Sequence, residues 1–186
     1  MKVRVGIWLF GVLVAMLLCI GCVALYMVRA GQQLPGQVTE VERYEEILEG
    51  FEGSPWVEHF PERIPPEATD VRLDYLPRLM QGGGHFQLRM RLPREEVGAL
   101  VVEYRGRAEY RFEGGDWNEH VNVAGGVPTT FYYTSENGEM EFPSTYEVLV
   151  LGVGSAEGGY EWNHGYSYGV AIDEGESVVV YWVEYW

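Results

Sequence analysis

Residues 5–28 read VGIWLFGVLVAMLLCIGCVALYMV, 24 consecutive positions without a charge. A run of that length has few ways to fold, because it offers water no polar face. As a helix rising about 1.5 Å per residue it spans about 36 Å, enough to cross a hydrocarbon core of about 30 Å with some tilt. The sequence therefore predicts one N-terminal transmembrane helix. The polar remainder holds no second run of spanning length.

The flanks of the run predict its orientation. Lys2 and Arg4 precede it and only Arg29 follows it closely, a bias toward a cytoplasmic N-terminus. The expectation is a single-pass protein of the cell membrane whose C-terminal domain is extracytoplasmic. Three means of attachment stay open, and an uncleaved signal anchor leads on length. A cleaved secretory signal has a shorter core of about 7–15 residues, and Ala30-Gly31-Gln32 only loosely matches a cleavage site. A lipoprotein signal places a lipidated cysteine after a small residue, and Gly21-Cys22 offers one, so Cys22 is the candidate lipidation site. Against it, Cys19 stands where such signals carry an aliphatic residue, and the chain stays apolar after Cys22. Cys19 and Cys22 are the only cysteines of the chain, so the exported part has neither disulfide nor thiolate chemistry and relies on its core. The predicted organisation is an anchor at 1–29, a spacer at 30–37 containing GQQLPG, and a domain at 38–186.

Beyond residue 29 lie all 28 acidic residues and ten basic ones, a formal charge of −18. Such a domain repels nucleic acid and anionic headgroups, which excludes a nucleic-acid partner. Its ten basic residues are all arginine, and eight of them fall between Arg72 and Arg111. Guanidinium groups suit bidentate carboxylate contacts. That stretch is expected either to meet acids of its own domain or to receive an anionic ligand.

Periodicity places the elements. Thr39 and Glu42 match a capping box opening a helix over 39–50, with Val38, Val41, Tyr44, Ile47, Leu48 and Phe51 at helical spacing and Gly50 as the stop. Four prolines make 52–70 a loop. Strands are predicted over 71–76 and 85–92. In the second, Phe86, Leu88, Met90 and Leu92 form an apolar face and His85, Gln87, Arg89 and Arg91 a polar one, so this pair is expected to have one face on a core and one wet. A helix over 93–104, a strand over 109–112 and a β-prone stretch over 129–134 follow. The last third reads as strands at 146–153, 160–172 and 177–186, with a hairpin turn at 173–176. Both parities of the final strand are apolar, which predicts burial on both faces. The fold class expected is α+β: two helices packed on one mostly antiparallel sheet of five to seven strands.

Motifs that carry chemistry are scarce. Gly82-Gly83-Gly84 lacks the Lys and Ser/Thr of a phosphate loop, and a strand follows it. His59, His85, His120 and His164 show no zinc spacing, and Asp116 to His120 lacks an EF-hand pattern, so no metal or cofactor is predicted. Tyr160, Trp162, His164, Tyr166 and Tyr168 share a strand parity, either as a core face or as rings for stacking on sugar. The ligand-binding candidates are Arg72, Asp74, His85, Gln87, Arg89 and Arg91. Arginines beside a histidine suit a carboxylate or phosphate; an ordinary solvated sheet face is the plainer expectation.

Residues 59–91, HFPERIPPEATDVRLDYLPRLMQGGGHFQLRMR, carry His-Phe-Pro, Ile-Pro, Tyr-x-Pro, Gln-Gly-Gly and Gln-Leu-Arg in that order. This stretch resembles a segment of uncharacterised membrane-anchored or lipoprotein-like envelope proteins of Gram-positive bacteria. The resemblance implies a bacterial envelope protein and supplies no activity or site residue. The functional expectation is a binding or interaction module of the envelope, tethered to the membrane and meeting an envelope protein or ligand. The alternative is a hydrolase acting on envelope glycan through a pair of its many carboxylates.

Overall fold

A computed structural model describes residues 21–22, 36–78, 83–115, 127–155 and 165–186. By its contacts the chain separates into Met1–Pro35 and Gly36–Trp186. Of the first unit only Gly21 and Cys22 are described, both helical and exposed. The rest of the apolar run lies outside the described residues, and among those residues no helix is long and apolar enough to cross a membrane.

The second unit is α+β: two helices with one six-stranded antiparallel sheet. In chain order it contains α1 (Tyr44–Glu49), β1 (Thr69–Leu76), β2 (Gly84–Arg91), α2 (Arg94–Arg107), β3 (Tyr110–Glu113), β4 (Glu147–Ser155), β5 (Gly165–Asp173) and β6 (Val178–Tyr185). The strands lie in the order β1-β2-β6-β5-β4-β3. The last hairpin therefore slots its final strand beside β2, at the centre of the sheet. All eight residues of β6 are buried, which answers the apolar character of both its parities.

One face of the sheet carries the larger core. Phe86, Leu88 and Met90 of β2, Val179, Tyr181 and Val183 of β6, and Val170 and Ile172 of β5 meet Tyr44 and Ile47 of α1 and Val97, Val101 and Tyr104 of α2. The loop between α1 and β1 is drawn into this face. Tyr44 donates its hydroxyl to the Pro61 carbonyl (2.5 Å) and Tyr104 donates to the His59 carbonyl (2.9 Å). His59 is 4% exposed, and burial pushes its imidazole down to about 3, a cost that a bond from Nε2 to the Trp182 carbonyl (3.2 Å) only partly relieves.

The first helix departs from expectation. Thr39 caps nothing; a 3-10 turn at Val41–Arg43 precedes α1, and its N-cap is Glu40 without a side-chain bond. The reason is upstream. Val38 forms a two-bond antiparallel bridge with Tyr75 (2.8 and 2.9 Å), which keeps the chain extended through Glu40. Residues 129–134 also depart from expectation, since they form no strand.

Those residues belong to a strap, residues 127–146, that covers the opposite face of the sheet. Tyr132, Phe142 and Tyr146 pack there on Val148, Ala171, Val178 and Val180 as a second, smaller core. Small residues on β5 make room for β6. A Cβ at Gly169 would stand 2.9 Å from the Trp182 ring and 2.2 Å from the Leu149 carbonyl oxygen; one at Gly165 would stand 2.5 Å from the Trp186 ring.

Candidate functional site

The predicted wet face of β1 and β2 is dry. His85 and Asp74 are each 6% exposed, Arg89 4% and Gln87 0%. The strap lies over them, and polar side chains here hold down a segment with no regular backbone pairing of its own. Gln87 does this most directly. Its Nε2 donates to the Phe131 carbonyl (2.8 Å), and its Oε1 accepts from the Thr134 amide (2.9 Å) and hydroxyl (2.8 Å). One side-chain amide thus supplies the donor and acceptor that a neighbouring strand would have offered.

Arg89 anchors the same strap. It donates to the Tyr132 hydroxyl (3.0 Å), to Asp70 (2.7 Å) and to Glu136 (3.0 Å), and the Tyr132 and Tyr146 hydroxyls bond at 2.8 Å. Asp70 reaches it from an irregularity in β1 pairing, with φ at 48°. Burial works against the Arg89 charge, but the bonds to Asp70 and Tyr132 outweigh it and hold the guanidinium firmly protonated. Arg72 and Arg91 stand half-buried at the margins. Arg72 pairs with Asp70 (3.3 Å) and Glu136 (3.5 Å), and Arg91 with the Glu176 carbonyl and carboxylate. The arginines therefore meet acids of their own domain.

A second polar line runs through His85. Gln37 donates to both Asp74 oxygens (2.9 and 2.7 Å), and His85 Nε2 bonds Asp74 Oδ1 at 2.7 Å. The His85 ring stacks on Tyr133, centroids 3.6 Å apart and planes within 6°. Tyr133 donates to Glu184 (2.9 Å). Burial pushes the Glu184 carboxyl up to about 7, although bonds from Thr130, Tyr133 and the Phe131 amide pull the other way. The arrangement orients an imidazole and keeps a carboxyl close to neutrality under the strap. A shallow cleft of about 250 Å³ opens beside it, lined by Asp74, Arg72, Tyr133 and Thr134 among others.

A roomier concavity than this cleft lies on the helix side. A groove of about 400 Å³ runs between the end of α1, the following turn and the ends of β1 and β6. Its walls are four rings, Phe51, Trp56, Tyr75 and Tyr185, with Leu76 and Pro77 beside them. Ser54, Glu52 and Arg78 supply polar groups. Local structure sets the rings: Ser54 caps the 3-10 turn that carries Trp56, and the Val38 bridge holds Tyr75 in place. Tyr185 is 8% exposed, yet its hydroxyl has no hydrogen-bond partner among the described residues. Burial and then the Tyr75 hydroxyl raise its pKa, with Arg78 opposing. An aromatic cleft with few polar groups is the usual form of a small-ligand site.

Of the predicted aromatic row, Tyr166 and Tyr168 are half-buried against the helix-side core; Tyr166 meets Trp56 at 4.5 Å and Tyr168 meets His59 at 5.5 Å. Tyr160, Trp162 and His164 lie outside the described residues, as does the stretch from Asp116 to His120. Among the described residues no cluster of His, Cys, Asp and Glu is placed to hold a metal. Sequence reasoning missed the groove because its rings come from three segments far apart in the chain. Their one shared signal, aromatic residues beside Gly and Pro at element ends, is too common to single out. Comparison with protein-family models, curated proteins and solved structures finds no match.

Proposed function

We propose that this chain is a membrane-tethered binding module of the bacterial envelope, with its domain outside the cytoplasm and its ligand held in the aromatic groove. The observation that carries the binding half is the groove of about 400 Å³ walled by the rings of Phe51, Trp56, Tyr75 and Tyr185. The tether and orientation rest on the apolar run and its flanking charges, and the envelope setting on the resemblance of residues 59–91. A glycan hydrolase would need carboxyls open to substrate. The two carboxyls gathered under the strap, Asp74 and Glu184, are each 6% exposed and bonded within the domain.

The cysteine-free domain allows one experiment to address both halves. With Cys19→Ala and Cys22→Ala in place, Glu52→Cys puts a thiol at the rim of the groove and Glu174→Cys puts one in the β5–β6 turn. A membrane-impermeant maleimide should label both on intact cells. Labelling only after lysis would sink the orientation. Stripping extractable envelope material should speed labelling at position 52 and leave position 174 unchanged; equal rates before and after would count against an occupied groove.

A further inference from the structure

We propose that Asn137 is a site of spontaneous isoaspartate formation, a modification that loosens the strap at its tip. The chain has four asparagines, and Asn137 is the one followed by glycine. It sits in a loop closed at its base by the Tyr132 amide on the Met140 carbonyl (3.0 Å), and residues 136–140 are all exposed. The turn explains the glycine: Gly138 holds φ at 73°, with open space where a Cβ would stand. It does not explain the asparagine. Asn137 does not share that left-handed conformation, and among the described residues its carboxamide bonds nothing. The Gly138 amide has no hydrogen-bond partner among them either, and no side chain of its own to shield it. Both reacting groups are therefore unpinned and open to water.

The Gly138 nitrogen closes on the Asn137 side-chain carbonyl carbon, an intramolecular attack favoured by proximity. A C–N bond forms, the Gly138 nitrogen gives up its proton, and the side-chain nitrogen leaves as ammonia. Water then opens the cyclic imide. Opening at the main-chain carbonyl routes the backbone through the side chain and lengthens it by a methylene, which is isoaspartate. No oxidant or reductant takes part. The strap tip is arranged so that this change is felt. Ser135 Oγ accepts from the amides of Asn137 (3.3 Å) and Glu139 (3.0 Å), which flank the Asn137–Gly138 bond. A main chain lengthened between those two amides loses that spacing. The new carboxylate also stands beside Glu136, which pairs with Arg89 (3.0 Å) and Arg72 (3.5 Å). Its charge competes with Glu136 for the arginines that pin the strap.

The test holds the full chain in detergent at physiological temperature in heavy-oxygen water. Mass spectrometry of the strap peptide should show amide converted to acid with heavy oxygen taken up. Electron-based fragmentation should place isoaspartate at position 137. Conversion there should run several-fold ahead of Asn118, Asn122 and Asn163, which precede Glu, Val and His. In the aged chain the Glu139 amide should exchange roughly two- to tenfold faster, the worth of one lost hydrogen bond, while α2 keeps its protection. Asn137→Ser, at an exposed site whose side chain bonds nothing, should show neither change over the same time. Conversion at position 137 no faster than at the other asparagines, or aspartate alone as its product, would overturn the site. Isoaspartate formed with the Glu139 amide still exchanging at its starting rate would overturn the loosening. So would equal acceleration in the aged Asn137→Ser chain.

Discussion

On one face of the sheet, Phe86, Leu88 and Met90 are sealed beneath two helices. On the other, the same strand turns His85, Gln87 and Arg89 into a layer that is almost as dry. Apart from the hydroxyl bonds of Tyr44 and Tyr104 and the His59 bond that tie down the loop, the helix face is held by apolar contacts without direction. The strap face is held by bonds that require particular atoms at particular distances. Its covering segment has little periodic structure and borrows its order from Gln87 and Arg89. The lesson is that a polar strand face can be a core face when what covers it has unpaired backbone to satisfy.

The comparison can be broken by truncating one residue on each side. Phe86→Ala removes a fully buried ring that touches Tyr44, Phe51, Phe60 and Tyr75, and should cost about 3–5 kcal/mol of stability. Denaturant unfolding of the full chain in detergent should show this as a shifted midpoint, and amide exchange should accelerate across sheet and helices together. Gln87→Ala leaves the buried Thr134 amide without its acceptor and the Phe131 carbonyl without its shorter bond, the Thr130 hydroxyl (3.2 Å) remaining, and should cost about 1–3 kcal/mol. Its exchange signature differs: the strap should open locally while α2 stays protected. Uniform acceleration in both variants would mean that the two faces are one cooperative unit and the contrast is only chemical.

The Glu184 carboxyl sharpens the contrast through pH. Its folded pKa is raised to about 7 from an ordinary 4.5, so between those values the folded protein keeps a proton that the unfolded chain has lost. The stability it contributes is fully present below about pH 4.5 and is lost as pH rises through 7. Glu184→Gln should therefore stabilise the protein well above pH 7 by about 3 kcal/mol and be nearly neutral at pH 4. His59 slopes the other way: its folded pKa is lowered to about 3, so its share is present above about pH 6.5 and fades below. The difference between wild type and Glu184→Gln cancels His59 and isolates the carboxyl. A pH-independent difference would show that Glu184 is ionised in the fold.

Much of the helix face was legible in the sequence. The alternation of residues 85–92 assigns Phe86, Leu88 and Met90 to one side, and helical spacing picks out Tyr44 and Ile47. The strap face was half-legible. Parity grouped Asp74, His85, Gln87 and Arg89 correctly, but polarity was taken to mean water. Nothing in TTFYYT announces that it will lie on a sheet without joining it, because its partners are a glutamine and an arginine some forty residues upstream. The small residues of β5 became intelligible only with the register, which sets Gly169 opposite Trp182. Capping at Thr39 failed because a long-range bridge at Val38 overrode a local pattern.

The smallest effect tests whether depth, rather than charge, sets the worth of the strap face. Arg72 and Arg89 share the same acceptors, Asp70 and Glu136. Their side chains differ in exposure, 37% against 4%. Arg89→Ala strips a desolvated network and leaves the Tyr132 hydroxyl short of its donor. Arg72→Ala removes bonds that water replaces, and should cost under about 1 kcal/mol, shrinking further in high salt. A double-mutant cycle of Arg72→Ala with Glu136→Ala should return a coupling of roughly 0.5 kcal/mol or less. A coupling near that of the Arg89 pair would mean that the margin of the strap is as dry as its centre, and that the cleft beside Asp74 is closed to solvent in solution.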